Sequence, residues 1–144
     1  MFPLISQHNY MKHIDHIGIA VKSIESSIPI FERLLNSTCY KKEFVPGENV
    51  TTAFFKNGES KIELLEDENG DGIINKFIEK KGESIHHIAF EVDDIHNEIS
   101  RLKKEGFVFI SETPKKGADN KMICFLHPKS TNGVLIELCQ NITT

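Results

Sequence analysis

The sequence predicts an α+β fold in which two tandem βαβββ modules form one cupped, eight-stranded mixed sheet. Three observations indicate this class. The two halves of the chain repeat each other, a strand-like alternation opens each half, and a helix-like pattern follows each alternation. Repetition of one supersecondary unit implies that equivalent residues face each other across a pseudo-twofold axis.

The repeat shows as a shift of 71 residues along the chain. Equivalent residues under this shift are Ile14 and Ile85, His16 and His87, Ile17 and Ile88, Val21 and Val92. With three more residues of offset, Glu63 falls on Glu137 within matching Ile-Glu-Leu segments. We therefore expect one domain over 1–144. Its parts are module one at about 13–66, a connecting helix at about 67–83 and module two at about 84–140.

The strand that opens each module separates two kinds of side chain. One face is apolar in both copies, with Ile17, Ile19 and Val21 in the first and Ile88, Phe90 and Val92 in the second. The other face combines a histidine with small neighbours, namely His16, Gly18 and Ala20, then His87 and Ala89. Small residues beside a polar one leave room for a ligand.

The predicted helices have apolar residues at helical spacing and suitable caps. Ser23 and Asp94 are good N-cap residues for the two helices that follow the opening strands. Pro29 would remove a hydrogen bond, so the first helix is either kinked or begins nearer Ser26. A short connecting helix is expected over Ile73–Lys80, ended by Gly82.

The other six strands are expected as three segments in each module, separated by glycine-containing turns. Their predicted bounds are 39–44, 50–55, 61–66, 108–111, 122–126 and 134–139.

Composition narrows the classes of partner. A net charge of -4 and a pI near 6.0 with dispersed lysines argue against nucleic acid, and no apolar run reaches the length of a membrane span. Three cysteines without CxxC spacing favour reduced thiols in the cytoplasm. Residues 1–10 are expected to be a short tail, with Met11 as an alternative start. A small-molecule partner is the better expectation.

Two histidines and two glutamates converge if the repeat is folded about its axis. His16, His87, Glu63 and Glu137 would then offer two nitrogen and two oxygen donors to one divalent cation. This ligand set admits cobalt, zinc, manganese or nickel. His86 matches Asp15 in the repeat, and adjacent strand residues point to opposite faces, so we expect His86 to point away from the metal.

Several segments resemble the vicinal oxygen chelate superfamily and, within it, the methylmalonyl-CoA epimerase family. They are the opening strands 14–21 and 85–95, and the segment 125–138 with its HPKS and GVLIEL motifs. The resemblance covers about 14–140. It implies metal ligands at His16, His87 and Glu137, with a fourth at Glu63. It also implies an acyl-CoA substrate and a homodimer.

The implied reaction is inversion of C2 of methylmalonyl-CoA through proton abstraction and an enolate intermediate. A divalent cation would stabilise the enolate, and bases are needed on both faces of C2. Glu137 and Glu63 are the candidate bases. One branch of the family has another glutamate where this chain has Thr52. The candidates for the second base are therefore Glu63, Glu48 and a metal-bound water.

Two other functions fit parts of the pattern. A glyoxalase-type lyase that acts on a glutathione hemithioacetal uses the same set of two histidines and two glutamates. A non-catalytic small-molecule-binding module, such as a bleomycin-resistance protein, shares the fold but is expected to have aromatic-lined grooves and to lack the metal ligands. The absence of tryptophan and the presence of only two tyrosines favour the enzyme.

Overall fold

A computed structural model describes residues 11–143, which form one eight-stranded mixed sheet with three α-helices. The strands are β1 (His13–Ala20), β2 (Lys41–Val45), β3 (Val50–Asn57), β4 (Ser60–Asp67), β5 (Ser84–Glu91), β6 (Lys115–Lys116), β7 (Lys121–Leu126) and β8 (Ile136–Asn141). The helices are α1 (Ile24–Leu35), α2 (Ile73–Lys81) and α3 (Ile95–Lys104). The sheet curls into a half-barrel, and the predicted fold class is confirmed.

The strand order β2-β3-β4-β1-β5-β8-β7-β6 places the opening strands of the two modules side by side at the centre of the sheet. β1 and β5 are antiparallel to each other, and each is parallel to the last strand of its own module. Ile17 lies opposite its repeat equivalent Ile88. The pseudo-twofold axis therefore passes through this pair.

The helices begin where the caps predict. The Ser23 hydroxyl accepts a hydrogen bond from the backbone N–H of Ser26, and the Asp94 carboxylate accepts one from Asn97. α1 begins at Ile24 and continues through Pro29, which is exposed. The alternative start near Ser26 is therefore wrong. Within the described part of the chain, no helix is long and apolar enough to span a membrane.

Each module has its own apolar core beneath the sheet. In module one, Ile28 and Phe31 of α1 pack against Phe55 and Leu64. In module two, α3 packs its apolar side chains against Leu126 and Leu138. A further cluster joins α2 to module one and is made of Ala20, Val45, Val50, Leu65, Ile74 and Ile78. Helices α1 and α3 thus support the central strands that carry the predicted ligands.

The predicted strand at 108–111 is wrong. This segment forms a single bridge between Phe109 and Leu126 and then leaves the sheet. Two hydrogen bonds flank the bridge, from the Ile110 N–H to the Phe125 carbonyl and from the His127 N–H to the Val108 carbonyl. The short β6 takes the next place along the chain, after Pro114, which has no N–H to donate to a ladder. Phe109 is instead buried in the module-two core. Burial explains only Phe109 in this segment, because Val108 and Ile110 are exposed.

Candidate metal centre

The four predicted ligands lie on the four central strands. Glu63 on β4 and His87 on β5 both pair with Gly18 of β1, which lies between them. His16 on β1 and Glu137 on β8 likewise flank Ala89 of β5. The site therefore consists of two equivalent rows across the sheet, each with a small residue in the middle.

The small middle residue is a steric requirement in the first row. A Cβ atom on Gly18 would lie 2.2 Å from Cε1 of His87, far inside contact distance. The imidazole of His87 therefore lies directly over the glycine. This packing explains why a glycine follows His16 on the same face of β1.

The donor atoms of the four side chains converge. His16 Nε2 lies 3.1 Å from His87 Nε2. It also lies 3.5 Å from Oε2 of Glu63 and 3.5 Å from Oε2 of Glu137. His87 Nε2 lies 3.4 Å from Glu137 Oε1. All four residues are 3% to 5% exposed. The predicted convergence is thus present in the structure.

This arrangement fits a divalent cation. Ligand atoms about 2.1 Å from one metal at angles of 90° to 109° are separated by about 3.0 to 3.4 Å, close to the spacings here. His16, Glu63 and His87 also form a cluster whose donor atoms all lie within 4.8 Å of one another. Two buried carboxylates side by side are costly, and a cation would offset this cost.

The cost of burying the two carboxylates shows in their raised pKa values. Burial raises the pKa of Glu137 to about 8, with the Glu63 carboxylate as a further contributor, despite the opposing effect of His16. Burial also raises the pKa of Glu63. A carboxylate with a raised pKa is a stronger base near neutral pH than an ordinary one.

The two histidines differ in charge. Burial alone would lower the pKa of His16, but Glu63, the hydrogen bond with Asp15 and Glu137 together raise it to about 9. Burial lowers the pKa of His87 well below its ordinary value, and His16 and His86 add to the effect. Without metal, His16 is therefore the protonated member of the pair.

His86 does not lie on the face opposite His87. Its Nδ1 is 2.9 Å from Nδ1 of His87, and both residues line the cavity above His16. The expected alternation fails because the β1–β5 pairing is irregular at His86. His86 is outside the ligand cluster, and it contacts the ring nitrogen of His87 that lies away from the other donors.

The cavity over the four donors also contains Glu48, from the turn between β2 and β3. Its Oε1 is shielded from solvent and makes no hydrogen bond of good geometry, although Lys115 Nζ lies 2.6 Å away as an ion-pair partner. Thr52 is buried in the same wall, and its hydroxyl donates to the carbonyl of Glu43. Among residues 11–143, Glu48 is the carboxylate that lines this cavity besides Glu63 and Glu137.

Comparison with known proteins identifies the class. Residues 15–125 match the family described as the Glyoxalase/Bleomycin resistance protein/Dioxygenase superfamily. This match spans more than half of the chain, so the chain belongs to that superfamily.

The particular resemblance is to methylmalonyl-CoA epimerases, as the sequence motifs predicted. The chain is 38% identical to the ethylmalonyl-CoA/methylmalonyl-CoA epimerase of Cereibacter sphaeroides, over 88% of this chain and 96% of that protein. It is 39% identical to the uncharacterized protein YqjC of Bacillus subtilis, over 90% and 93%. A variant of Streptomyces coelicolor methylmalonyl-CoA epimerase in complex with 2-nitronate-propionyl-CoA has a TM-score of 0.88 and 29% identity, over 94% and 98%.

Proposed function

We propose that this chain is a metal-dependent epimerase that inverts C2 of methylmalonyl-CoA. The observation that carries the proposal is the convergence of His16, Glu63, His87 and Glu137 in a buried site of a chain similar to such epimerases. A divalent cation held by these four side chains would supply Lewis-acid stabilisation of negative charge on the thioester oxygen. Cobalt, zinc, manganese and nickel all suit the donor set.

Glu137 is the proposed base on one face of C2. Removal of the C2 proton to a Glu137 oxygen leaves an enolate, and a proton delivered to the opposite face by a second group gives the inverted product. Burial favours the neutral, protonated form of the Glu137 carboxyl, so this carboxylate gains from taking up a proton. The surrounding burial also excludes water that would compete for the proton.

The second proton donor belongs to module one in this proposal. Glu63 and Glu48 both come from module one and line the same cavity as Glu137, which comes from module two. Glu63 lies close to His16 and is the expected fourth ligand, whereas Glu48 is free of the ligand cluster. The position of Thr52, buried and hydrogen-bonded to the backbone, supports neither acid nor base chemistry there.

We also propose that the two modules form a single domain, that the functional unit is a homodimer, and that the protein works in the cytoplasm. The buried Cys124 and Cys139 support a reducing compartment. Together with Cys39 they are free thiols, and cysteines without disulfides are typical of such a compartment. The predicted tail at residues 1–10 lies outside the residues that the structure describes. The alternative start at Met11 stays a prediction.

The test is proton-deuteron exchange at C2 of methylmalonyl-CoA in heavy water, with metal-free protein as the control. We expect exchange and epimerisation in the metal-loaded protein, and loss of both on chelation. Metal-loaded protein without exchange, but with turnover of a glutathione hemithioacetal, would instead assign the glyoxalase-type reaction.

Two isosteric variants then separate the candidates for the second base. If Glu48 is the base, Glu48→Gln abolishes inversion, retains metal and exchanges deuterium on one face only. Glu63→Gln should then keep most of its turnover, since an amide oxygen can still bind metal. The reverse result would assign the role to Glu63. Normal turnover in both variants would leave a water as the proton carrier.

A further inference from the structure

The pairing of β1 with β5 is interrupted at two places related by the repeat. Between Ile14 and His16 the register skips Asp15, and between Ile85 and His87 it skips His86. Asp15 and His86 are equivalent under the shift of 71 residues. A β-bulge redirects the side chain of the extra residue, and here it turns both side chains toward the neighbouring histidine.

Asp15 contacts Nδ1 of His16, the ring nitrogen that lies away from the other three candidate ligands. Its Oδ2 lies 2.7 Å from His16 Nδ1, and its Oδ1 accepts from Lys121 at 3.2 Å and Lys61 at 3.4 Å. Asp15 and Lys121 are both buried, so the carboxylate is held by opposite charges on one side and by the imidazole on the other. A carboxylate can only accept, so Nδ1 of His16 carries a proton when Asp15 is ionised.

His86 has the same relation to His87. Its Nδ1 lies 2.9 Å from His87 Nδ1, and its ring packs edge-on against Phe77 with centroids 4.9 Å apart. When His87 presents Nε2 as a lone pair, its Nδ1 carries the proton and donates to Nδ1 of His86. The acceptor is thus a neutral imidazole in module two and a carboxylate in module one.

We propose that Asp15 and His86 are paired positioning residues, which hold His16 and His87 with protonated Nδ1 and with the Nε2 lone pair facing a divalent cation. This inference rests on the metal-dependent function proposed above. Groups that accept from the far nitrogen of a metal-binding histidine fix its tautomer and orientation. The repeat supplies one such group per module, from the same bulge but with different chemistry.

The test measures Co(II) binding to metal-free protein, followed by its visible absorption, for wild type, Asp15→Asn, His86→Phe and His86→Asn. Asp15→Asn no longer fixes the tautomer, and His86→Phe keeps a ring against Phe77 but removes the acceptor. We expect both to weaken Co(II) binding by about 10- to 100-fold and to shift the absorption bands. His86→Asn restores a polar atom near Nδ1 and should bind within about threefold of wild type.

Matched controls are Asp93→Asn and His96→Phe, which change the same residue types at exposed positions. Both should bind Co(II) like wild type. The positioning role would be overturned if Asp15→Asn and His86→Phe kept the wild-type Co(II) affinity, absorption spectrum and urea midpoint. The proposed metal site would not be affected by that result. Equal Co(II) binding by wild type and His16→Ala would overturn the metal site itself, and the positioning role with it.

A measurement on the unmodified protein keeps the inference testable if a variant does not fold. In zinc-loaded wild type, two-bond ¹⁵N–¹H correlations should show the proton on Nδ1 of both His16 and His87. A proton on Nε2 of either ring would contradict the proposed arrangement.

Discussion

Gly18 determines where the His87 ring can lie. The ring occupies the space that any side chain at this position would fill. We expect Gly18→Ala to displace His87 and to weaken metal binding by at least about 10-fold, since a misplaced ligand loses its geometry. Isothermal titration with Zn²⁺ measures this loss. Gly70→Ala is the control because a Cβ there meets nothing within 4 Å, and equal affinity of both variants would contradict the prediction.

Glu137 is expected to serve both as ligand and as base. Glu137→Gln keeps the size and one oxygen donor but removes most of the basicity. Deuterium exchange and epimerisation should therefore fall together, by on the order of 100-fold or more, while some metal is retained. The measurements are turnover and metal content per chain. Glu59→Gln, at an exposed position, should leave both unchanged, and full activity of metal-loaded Glu137→Gln would remove the catalytic role.

At the scale of single elements, Pro29 leaves one hydrogen bond of helix α1 unmade. It is exposed in the middle of α1, where it cannot donate to the carbonyl of Glu25. Pro29→Ala should raise the free energy of unfolding by about 1 to 3 kcal/mol, since the helix gains a donor and loses a clash. Urea denaturation measures this change. Ser26→Ala in the same helix is the control, and a destabilised Pro29→Ala would show that the helix has adapted to the proline.

Helices and caps could be predicted because their signals are local. Ser23 and Asp94 cap the helices they precede, and Gly82 ends α2 as its position indicated. The bulges could not be predicted in this way. A one-residue change of register depends on the partner strand, so simple alternation put His86 on the wrong face.

At the scale of the whole molecule, the repeat made the convergence of His16, Glu63, His87 and Glu137 predictable. Equivalent residues on β1 and β5 must meet when two copies of one unit pair about an axis, and Ile17 opposite Ile88 shows that they do. Contacts between the modules that lack a repeat equivalent could not be predicted. The turn before β7 reaches module one, where Asp119 contacts Lys41 at 3.2 Å and Lys61 at 2.8 Å.

The charges of the site couple it to the stability of the whole protein. In the metal-free fold, the pKa of Glu137 is raised by burial from its ordinary value to about 8. The pKa of His16, which burial would lower, is raised to about 9 by Glu63, Asp15 and Glu137. Between pH 6.5 and 8 the folded protein therefore holds more protons than the unfolded chain at both groups. Stability of the metal-free protein must fall as pH rises through this range.

A cation bound at the proposed site would displace these protons, so metal binding would reverse the sign of the pH dependence of stability. We expect the thermal midpoint of metal-free protein to fall between pH 6.5 and 9, by on the order of 5 °C or more, while zinc affinity rises with pH. Scanning calorimetry with and without zinc should show a gap that widens with pH. The pH range starts at 6.5 because of His87, whose pKa burial lowers in the folded protein. Below pH 6.5 the unfolded chain takes up a proton at His87 that the folded protein does not, so this group makes stability rise with pH. In Glu137→Gln one of the two protons is gone, so the fall in the metal-free midpoint should become shallower. A gap that stays constant from pH 6.5 to 9 would show that neither proton is displaced by metal.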